Sequence, residues 1–470
     1  MKNIVLLSLF LCSNLFLFAQ REITKEEQLS ETNPIILNRI SEWQDLKFGF
    51  FAHWGIYAQE QLVESWSICN EPWIDRKGRA YEEYKQWYWN LNKSFNPKNF
   101  DAKKWAKAAK DAGMKYFVFT AKHHDGFCMF KTQYTDYSVA GKDCPYSKNK
   151  NNDIVKQVVD AFRKEGFWTG LYFSKPDWHN KDYWSELWAT PDRNVNYDIE
   201  KHPEKWKSFC NFTYNQIREL TQNYGEIDIL WLDGGWVRPQ WSINNDEVLS
   251  WLGAYKRVQD IDMPKLAEIA RQTNEDMIIV DRSVGGKYEN YTTPEQHIPE
   301  KPLDYAWETC MTMGDSWSYV KNDNYKSVNT LLHILVDIVA KGGNLLLNVG
   351  PDENGNLPQQ ALDRMKSMGS WLQVNGEAIY NTRPVAPYKQ DNICFTHNKN
   401  GKNYALILIS DTLALQDEYK FSFSEKLSKG TKKILGYKQK AKLSYNNGTY
   451  TLKLLDKEKI KEQNVLVITL

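Results

Sequence analysis

The chain has 470 residues, of which 42% are hydrophobic and 25% are charged, and its formal net charge at pH 7 is +1. This length predicts two or three domains of ordinary globular composition. The small net charge and the lack of any lysine or arginine run argue against a protein that binds nucleic acid or anionic lipid.

The first twenty residues have the pattern of a secretory signal peptide. A lysine precedes an apolar run that ends at Ala19 and Gln20, where we expect cleavage. The run is short for a membrane anchor, and the bulky Leu11 before Cys12 disfavours a lipoprotein site. We therefore expect export to the periplasm or the medium without stable membrane insertion. Six cysteines follow without CxxC spacing, so the sequence assigns no disulfide and no zinc cluster.

From about residue 45 to residue 350, short apolar runs alternate with amphipathic stretches, which predicts a parallel sheet. Stretches 102–113 and 154–166 end on glycine, as helices often do, and 204–225 has apolar residues at helical spacing. Seven apolar runs favour an α/β fold with a (β/α)8-like barrel, and no glycine-rich phosphate loop supports a nucleotide fold. The runs are 48–55, 115–127, 167–174, 228–235, 277–283, 305–311 and 344–351.

After about residue 385 the pattern changes to short alternating strands with turn signals. The segment 393–410 predicts two strands joined at Asn400-Gly401, and segments 432–455 and 464–470 predict further strands. Such a pattern is typical of a small all-β sandwich. The predicted organisation is thus a signal peptide at 1–20, a barrel-like domain at 21–384 and a β-sandwich at 385–470.

Polar residues accompany five of the apolar runs, where reactive groups of a barrel gather at the carboxyl ends of the strands. One buried polar residue is usually a satisfied core group, but recurrence at five strands predicts a site. The histidines could ligate a metal, although the many flanking aromatic residues suit a sugar better. The residues are His53, His123, His124, Asp125, Asp233, Arg282 and Glu308.

The segment DILWLDGGW (228–236) places Asp233 at the end of an apolar strand, with two glycines that leave room for a ligand. Ile229 and Trp231 share its face of the strand. Asp233 is therefore a plausible nucleophile, and it needs a second carboxyl group to act as acid. Three downstream candidates remain open on physical grounds: Glu289, Glu295 and Glu308.

Four segments resemble the hallmark segments of the α-L-fucosidases of glycoside hydrolase family 29. They are KFGFFAHWG, FNPKNFDAKKWAKAAKDAGMKYFVFTAKHHDGF, LWLDGGW and NLLLNVGPDENG, and the resemblance spans about residues 40–385. It implies a barrel-like catalytic domain, a C-terminal β-sandwich, and cleavage of terminal α-L-fucose from a fucosylated glycan with retention of configuration. It also implies that no cofactor and no metal are needed.

The resemblance implies that Asp233 is the nucleophile. Glu295, in the TPE triplet of KYENYTTPEQ, is the implied acid/base, with Glu289 as runner-up, and Glu308 resembles a structural carboxylate beneath the site. An apolar wall of Trp54 or Trp236 would meet the fucose methyl group. The other implied substrate ligands are His53, Glu64, Trp66, His123, His124, Tyr172 and Arg282.

Alternative functions follow from the same residues. An α-L-galactosidase is a near neighbour, because a pocket that packs a methyl group rejects an added hydroxyl only weakly. A catalytically inactive fucose-binding module would keep the pocket without a placed acid. A metal hydrolase would bring His53, His123 and His124 to a common point about 2.1 Å from each. We expect the choice of aglycone to lie in segments 236–275 and 285–303.

Overall fold

The computed structural model describes residues 31–71, 74–76, 78–239, 258–283 and 287–470, so the predicted signal peptide lies outside the described residues. The described part contains eight α-helices, none of which is long and apolar enough to cross a membrane. They are α1 (Pro34–Leu46), α2 (Tyr81–Trp89), α3 (Ala102–Asp111), α4 (Ile154–Lys164), α5 (Pro203–Gln222), α6 (Met263–Arg271), α7 (Val328–Ala340) and α8 (Gln359–Asn375).

A seven-stranded parallel sheet forms the centre of the larger part of the chain, in the order β5-β4-β3-β2-β1-β7-β6. Each predicted apolar run overlaps one strand, and all of these strands pair in parallel, which confirms the predicted parallel sheet. Almost every strand residue is buried, as is typical of a parallel sheet covered on both faces. The strands are β1 (Phe48–Ala52), β2 (Tyr116–Lys122), β3 (Trp168–Ser174), β4 (Ile229–Asp233), β5 (Ile278–Val280), β6 (Glu308–Thr312) and β7 (Asn344–Asn348).

The edges of this sheet, β5 and β6, are both contacted by the segment that precedes β6. Isolated bridges join Glu289 to Val280 of β5, and Glu295 to Cys310 of β6. In the described residues this segment forms isolated bridges, and no eighth strand of the parallel sheet, between the two edges. It carries two of the three candidate acids, and it is fixed to the sheet at both ends.

Two apolar clusters flank the central sheet. Leu230 and Leu232 of β4 face the outer helices, while Ile229 and Trp231 lie in the interior core, as the period of two predicts. Helix α1 closes the amino end of this core. The interior core consists of Ile36, Ile40, Trp43, Phe51, Tyr116, Val118, Tyr172, Ile229, Trp231, Ile278, Val280, Tyr291, Ala306, Cys310 and Leu346.

The C-terminal part has two four-stranded antiparallel sheets, in the orders β15-β10-β9-β8 and β11-β14-β13-β12. Two strands, β8 and β11, were not predicted. Strand β8 contains Pro384 and Pro387, which lack an N–H for a ladder, and it is tolerated because it lies at a sheet edge. The strands are β8 (Thr382–Gln390), β9 (Ile393–Asn398), β10 (Asn403–Leu408), β11 (Glu418–Phe421), β12 (Gly430–Lys433), β13 (Lys440–Asn446), β14 (Thr449–Leu454) and β15 (Val465–Thr469).

Helices α7 and α8 contact the first of these sheets. Nε2 of His333 lies 3.1 Å from the carbonyl oxygen of Ile409 and 3.0 Å from that of Asn464. The Trp371 indole donates to the carbonyl oxygen of Val465 (3.0 Å). These bonds connect the two helices to carbonyl oxygens at the strand ends of the first C-terminal sheet.

Six cysteines of the described residues are buried free thiols: Cys69, Cys128, Cys144, Cys210, Cys310 and Cys394.

Candidate active site

Asp233 is the last residue of β4, and it lies at the carboxyl end of the sheet with its side chain 19% exposed. Its Oδ1 accepts a hydrogen bond from Nη1 of Arg282 (2.9 Å), and its Oδ2 accepts one from the Tyr172 hydroxyl (2.7 Å). Burial alone would raise the pKa of Asp233, but the Arg282 charge and the Tyr172 hydrogen bond hold it well below its usual range. Asp233 is therefore an ionised, oriented carboxylate.

Arg282 joins the two carboxyl groups of the site. It follows β5 in a left-handed conformation (φ 59°), and its Nη2 donates to Oε2 of Glu295 (2.8 Å) while Nη1 holds Asp233. Its Nε donates to Oγ1 of Thr293 (2.9 Å), and its guanidinium lies 4.5 Å from the ring centroid of Trp231. These contacts fix the side chain on three sides. The planar guanidinium therefore sets the distance and orientation between the carboxyl groups of Asp233 and Glu295.

The three candidate acids occupy different environments. Glu295 has a side chain 25% exposed and contacts Arg282. Glu289 is only 1% exposed, and burial, followed by the charge of Asp281, raises its pKa to about 8. Of these two, only Glu295 combines solvent access with the fork that holds Asp233.

Glu308 opens β6 rather than ending the strand, so its predicted place at a carboxyl end is wrong. The apolar residues before it, which suggested an earlier strand, lie outside β6. Its carboxyl group is fully buried, accepts from the Tyr116 hydroxyl (2.5 Å) and from the Trp231 indole (3.4 Å), and burial raises its pKa to about 8. It is a neutral acid beneath the site.

The ring of His53 has a defined tautomer. Its backbone N–H and its Nδ1 both approach Oδ1 of Asn348 (3.1 and 3.0 Å), and the Asn348 amide donates to the carbonyl oxygen of Trp317 (2.7 Å). An amide oxygen only accepts, so Nδ1 of His53 carries the proton and Nε2 is an acceptor. Burial and nearby His123 lower the pKa of His53 to about 3, so the ring is neutral.

His124 has the same arrangement. The Ser174 hydroxyl donates to the carbonyl oxygen of Pro176 (2.6 Å), so it accepts from Nδ1 of His124 (2.7 Å). Nε2 of His124 then faces Oδ2 of Asp233 at 3.7 Å as an acceptor. Burial lowers the pKa of His124 to about 4, against the charge of Asp233, so the site offers neutral acceptors to hydroxyl donors.

His123 completes the histidine group. Its Nδ1 contacts the Ser65 hydroxyl, and its ring stacks on Tyr172 with centroids 5.4 Å apart. The ring centroids of His53 and His123 lie 5.8 Å apart. Among the residues that the structure describes, no three histidine, cysteine, aspartate or glutamate side chains are arranged to hold a metal ion. The geometry therefore does not favour the metal-hydrolase alternative.

Glu64 is another buried carboxyl group at this end of the sheet. It begins a 3₁₀ turn at φ 40°, and its Oε1 accepts from the backbone N–H of Ser318 (3.2 Å). Burial raises the pKa of Glu64 to about 8, with a further contribution from the charge of Glu295. It is thus a neutral group close enough to Glu295 to interact with it.

Two of the three predicted tryptophans join the site. Trp66 and Trp236 pack edge-on against His124, with centroid distances of 5.3 and 5.1 Å. Trp54 does not join it: its ring packs among Phe95, Phe100 and Trp105 on the helix side of the sheet. Trp54 follows β1 immediately after His53, so the alternation of side chains points it away from the interior.

Sequence reasoning missed several residues that shape the site. Asn348 ends β7 and sets the His53 tautomer, and the strand-end rule applied to β7 would have indicated it. Trp231 supports Arg282, and its place on the face of Asp233 was visible in the sequence. Arg193 lies over the rings of Trp66 (4.9 Å) and Trp236 (5.5 Å), and no sequence signal marks it.

Comparison with known proteins places the chain among sugar hydrolases. The family model described as Alpha-L-fucosidase matches residues 15–377. An alpha-L-fucosidase from Dictyostelium discoideum is 27% identical over 87% of this chain and 85% of its own length. The solved structure of alpha-L-fucosidase isoenzyme 1 from Paenibacillus thiaminolyticus matches 93% of this chain and 99% of its own, with a TM-score of 0.74 and 29% identity. The Thermotoga maritima alpha-fucosidase in complex with fucose covers 91% and 96%, with a TM-score of 0.69 and 25% identity.

Proposed function

The chain belongs to the alpha-L-fucosidase family of glycoside hydrolases, and from that premise we propose that it is a retaining exo-α-L-fucosidase. It removes terminal α-L-fucose from fucosylated oligosaccharides or glycoconjugates by double displacement. Asp233 is the nucleophile and Glu295 is the acid/base.

The observation that carries this proposal is the fork of Arg282, which holds Asp233 at 2.9 Å and Glu295 at 2.8 Å. Retaining glycosidases need their carboxyl groups about 5–5.5 Å apart, whereas inverting enzymes leave room for a water at about 6.5–9.5 Å. Two carboxylates on adjacent nitrogens of one guanidinium are close neighbours, which supports the retaining chemistry. The depressed pKa of Asp233 keeps the nucleophile ionised.

In the first step, an Asp233 oxygen attacks C1 of fucose as the bond from C1 to the glycosidic oxygen breaks. Glu295 gives its proton to the departing oxygen. In the second step, water attacks C1, the Asp233–C1 bond breaks, and Glu295 accepts the proton of the water. Two displacements at C1 restore the original configuration.

The proposed acid role requires that Glu295 carries a proton when the substrate covers the site, while its Oε2 accepts the hydrogen bond from Arg282. Substrate binding excludes water and favours the neutral form of a carboxyl group. Glu289 already has the pKa of a neutral acid, yet it is only 1% exposed and could not reach a glycosidic oxygen. Access therefore favours Glu295.

The neutral histidines fit a sugar. Nε2 of His53 and of His124 accept hydrogen bonds from fucose hydroxyls, because Nδ1 of each ring is already used as a donor. Trp66 and Trp236 supply the apolar wall for the ring and the methyl group. The bound fucose of the Thermotoga maritima relative supports this assignment of substrate.

The proposal extends to architecture and location. It assigns residues 21–384 to a (β/α)8-like catalytic barrel, which the bridges from segment 289–295 to both edge strands support, and residues 385–470 to a β-sandwich. The signal-peptide pattern at 1–20 supports export to the periplasm or the medium.

The test is release of p-nitrophenol from an aryl α-L-fucoside by the wild type, Asp233→Ala, Glu295→Ala and the matched control Glu289→Ala, with azide added. We expect azide to rescue Asp233→Ala as the β-fucosyl azide and Glu295→Ala as the α-fucosyl azide. Azide should leave Glu289→Ala unchanged. An aryl α-L-galactoside measures the competing specificity. A wild type inactive on aryl and branched fucosides would overturn the proposal.

A further inference from the structure

Two charged side chains that the proposed reaction does not use are fully buried at the carboxyl end of the sheet. Lys175 follows β3 and Asp281 follows β5, and neither side chain has any exposed surface. The Lys175 ammonium donates to Oδ1 of Asp281 (2.5 Å), to the carbonyl oxygen of Asp281 (3.2 Å) and to Oγ of Ser283 (2.6 Å). An ammonium group has three donors, so these contacts use all of them.

The acceptors lie on the residues immediately before and after Arg282. Arg282 itself has φ 59°, a region that non-glycine residues seldom occupy and that persists only where the surroundings hold it. The Lys175 ammonium hydrogen-bonds to the residues on both sides of Arg282, Asp281 and Ser283. The Ser283 hydroxyl also contacts Oδ2 of Asp281, which closes the turn.

Lys175 contacts the strand of the nucleophile as well. Its backbone N–H donates to the carbonyl oxygen of Asp233 (2.9 Å), directly beyond the pairing of Ser174 with Asp233. One residue therefore ties the backbone of Asp233 to the turn that presents Arg282. A shift of this turn would move the guanidinium away from both carboxyl groups together.

We infer that Lys175 is a positioning residue of the reaction, acting through Arg282. This inference rests on the proposed function: Lys175 holds the Asp281–Ser283 turn so that one guanidinium bridges the nucleophile and the acid/base. Lys175 touches neither the substrate nor the reacting atoms.

Other charged groups around Lys175 are compatible with this role. Glu289 and Arg238 are buried nearby and interact with the pair electrostatically. Burial, followed by the charge of Asp281, raises the pKa of Glu289 to about 8, so below that pH Glu289 does not compete as an anion for the ammonium.

A double-mutant cycle on the aryl α-L-fucoside tests the inference with wild type, Lys175→Met, Arg282→Ala and the double variant. We expect Lys175→Met to lower kcat about 100-fold, the scale of a 1 Å misplacement, with a smaller change in KM. In the Arg282→Ala background, the same substitution should cost less than about 3-fold, because residues that act as one unit are not additive. If the Lys175 charge instead acted directly on Asp233, the fold-losses in kcat from Lys175→Met and from Arg282→Ala would multiply in the double variant.

Lys122→Met is the matched control. Lys122 is also fully buried in this sheet and pairs with a buried aspartate, Asp177 (3.1 Å), and with Gln216 (3.1 Å). It contacts neither residue that flanks Arg282. We expect its effect on kcat to multiply with that of Arg282→Ala, even where it costs as much stability as Lys175→Met.

Each outcome decides the inference. Multiplying effects of Lys175→Met and Arg282→Ala in an active enzyme would overturn the positioning role and leave the proposed function intact. If Lys175→Met does not fold, Ser283→Ala removes one acceptor and keeps the ion pair, and it must show the same non-additivity. A wild type inactive on every fucoside would overturn both.

Discussion

Asp233 and Glu308 belong to the same sheet, but the carboxyl group of Asp233 is ionised and that of Glu308 is protonated. The cluster at the carboxyl end surrounds Asp233 with a guanidinium and keeps it ionised. The interior core beneath buries Glu308 beside two neutral donors, a phenol and an indole, which lower its pKa by less than burial raises it, so the carboxyl group stays protonated. Trp231 lies between them, and it contacts Arg282 with its face and Glu308 with its N–H. Burial alone does not set the charge of a carboxyl group; the charge of its donors does.

Removing the Arg282 guanidinium should have the largest effect on activity, because it is the charge that keeps Asp233 ionised while Glu308 stays protonated. Arg282→Met leaves Asp233 buried without its main counter-charge, so its pKa should rise and transition-state stabilisation should fall. We expect kcat/KM to drop about 10²–10³-fold, and its acidic limb to move to higher pH. The pH profile on an aryl α-L-fucoside measures both, and an unmoved acidic limb would contradict the assignment of Asp233.

Removing one neutral donor should weaken the contrast less. Tyr172→Phe deletes the hydroxyl that donates to Oδ2 of Asp233 and keeps the ring that stacks on His123. A hydrogen bond to a charged group contributes about 1.5–3 kcal/mol, so we expect a loss of kcat of about 10–100-fold. The acidic limb should shift in the same direction as in Arg282→Met, by less. A larger shift than that of Arg282→Met would show that the hydroxyl, and not the cation, dominates.

Glu308→Gln tests the protonated state of Glu308, because glutamine has nearly the same shape as glutamic acid but cannot ionise. The folded pKa of Glu308 is raised to about 8, so the native state keeps a proton that the unfolded chain releases above its ordinary pKa. Wild-type stability from this group is full below about pH 4.3 and is lost as pH rises toward 8. As the pH rises through this window, the free energy of unfolding of Glu308→Gln should therefore increase relative to that of the wild type, by up to about 1.4 kcal/mol per pH unit. Denaturant unfolding at pH 5 and 7.5 tests this, and a pH-independent difference would contradict a neutral Glu308.

The smallest effect is expected from Trp231→Phe. The aromatic face beneath Arg282 remains, while the long indole hydrogen bond to Glu308 (3.4 Å) is lost. We expect less than about a 3-fold change in kcat and a loss of stability of about 1–2 kcal/mol from the smaller ring and the lost bond. A fall in kcat as large as that of Tyr172→Phe would mean that the two carboxyl groups are coupled through this ring.

Periodicity predicted all seven parallel strands, because apolar runs buried on both faces leave a strong signal in the sequence. It failed at β8, whose prolines resemble a loop and are tolerated at an edge, and at Glu308, where the apolar residues precede the strand rather than form it. Local pattern does not record which strand lies at an edge.

For the site, the strand-end rule selected five residues whose side chains lie near one another in the structure: His53, His123, His124, Asp233 and Arg282. The predicted apolar wall included Trp54, although the alternation of side chains turns this residue toward the helices. The sequence did not reveal that Arg282 bridges two carboxyl groups or that Lys175 binds the turn around it. The contacts of Arg282 with Asp233 and of Lys175 with Asp281 join segments more than 45 residues apart in the sequence.

The six buried thiols give the folded protein an internal reporter. Burial raises the pKa of Cys310 and of Cys128, so these sulfurs are poor nucleophiles while the chain is folded. A thiol-specific reagent should therefore modify them only as fast as the structure opens. Cys310 belongs to the interior core and Cys394 to the C-terminal sheets, so the order of their modification would show which part of the molecule opens first.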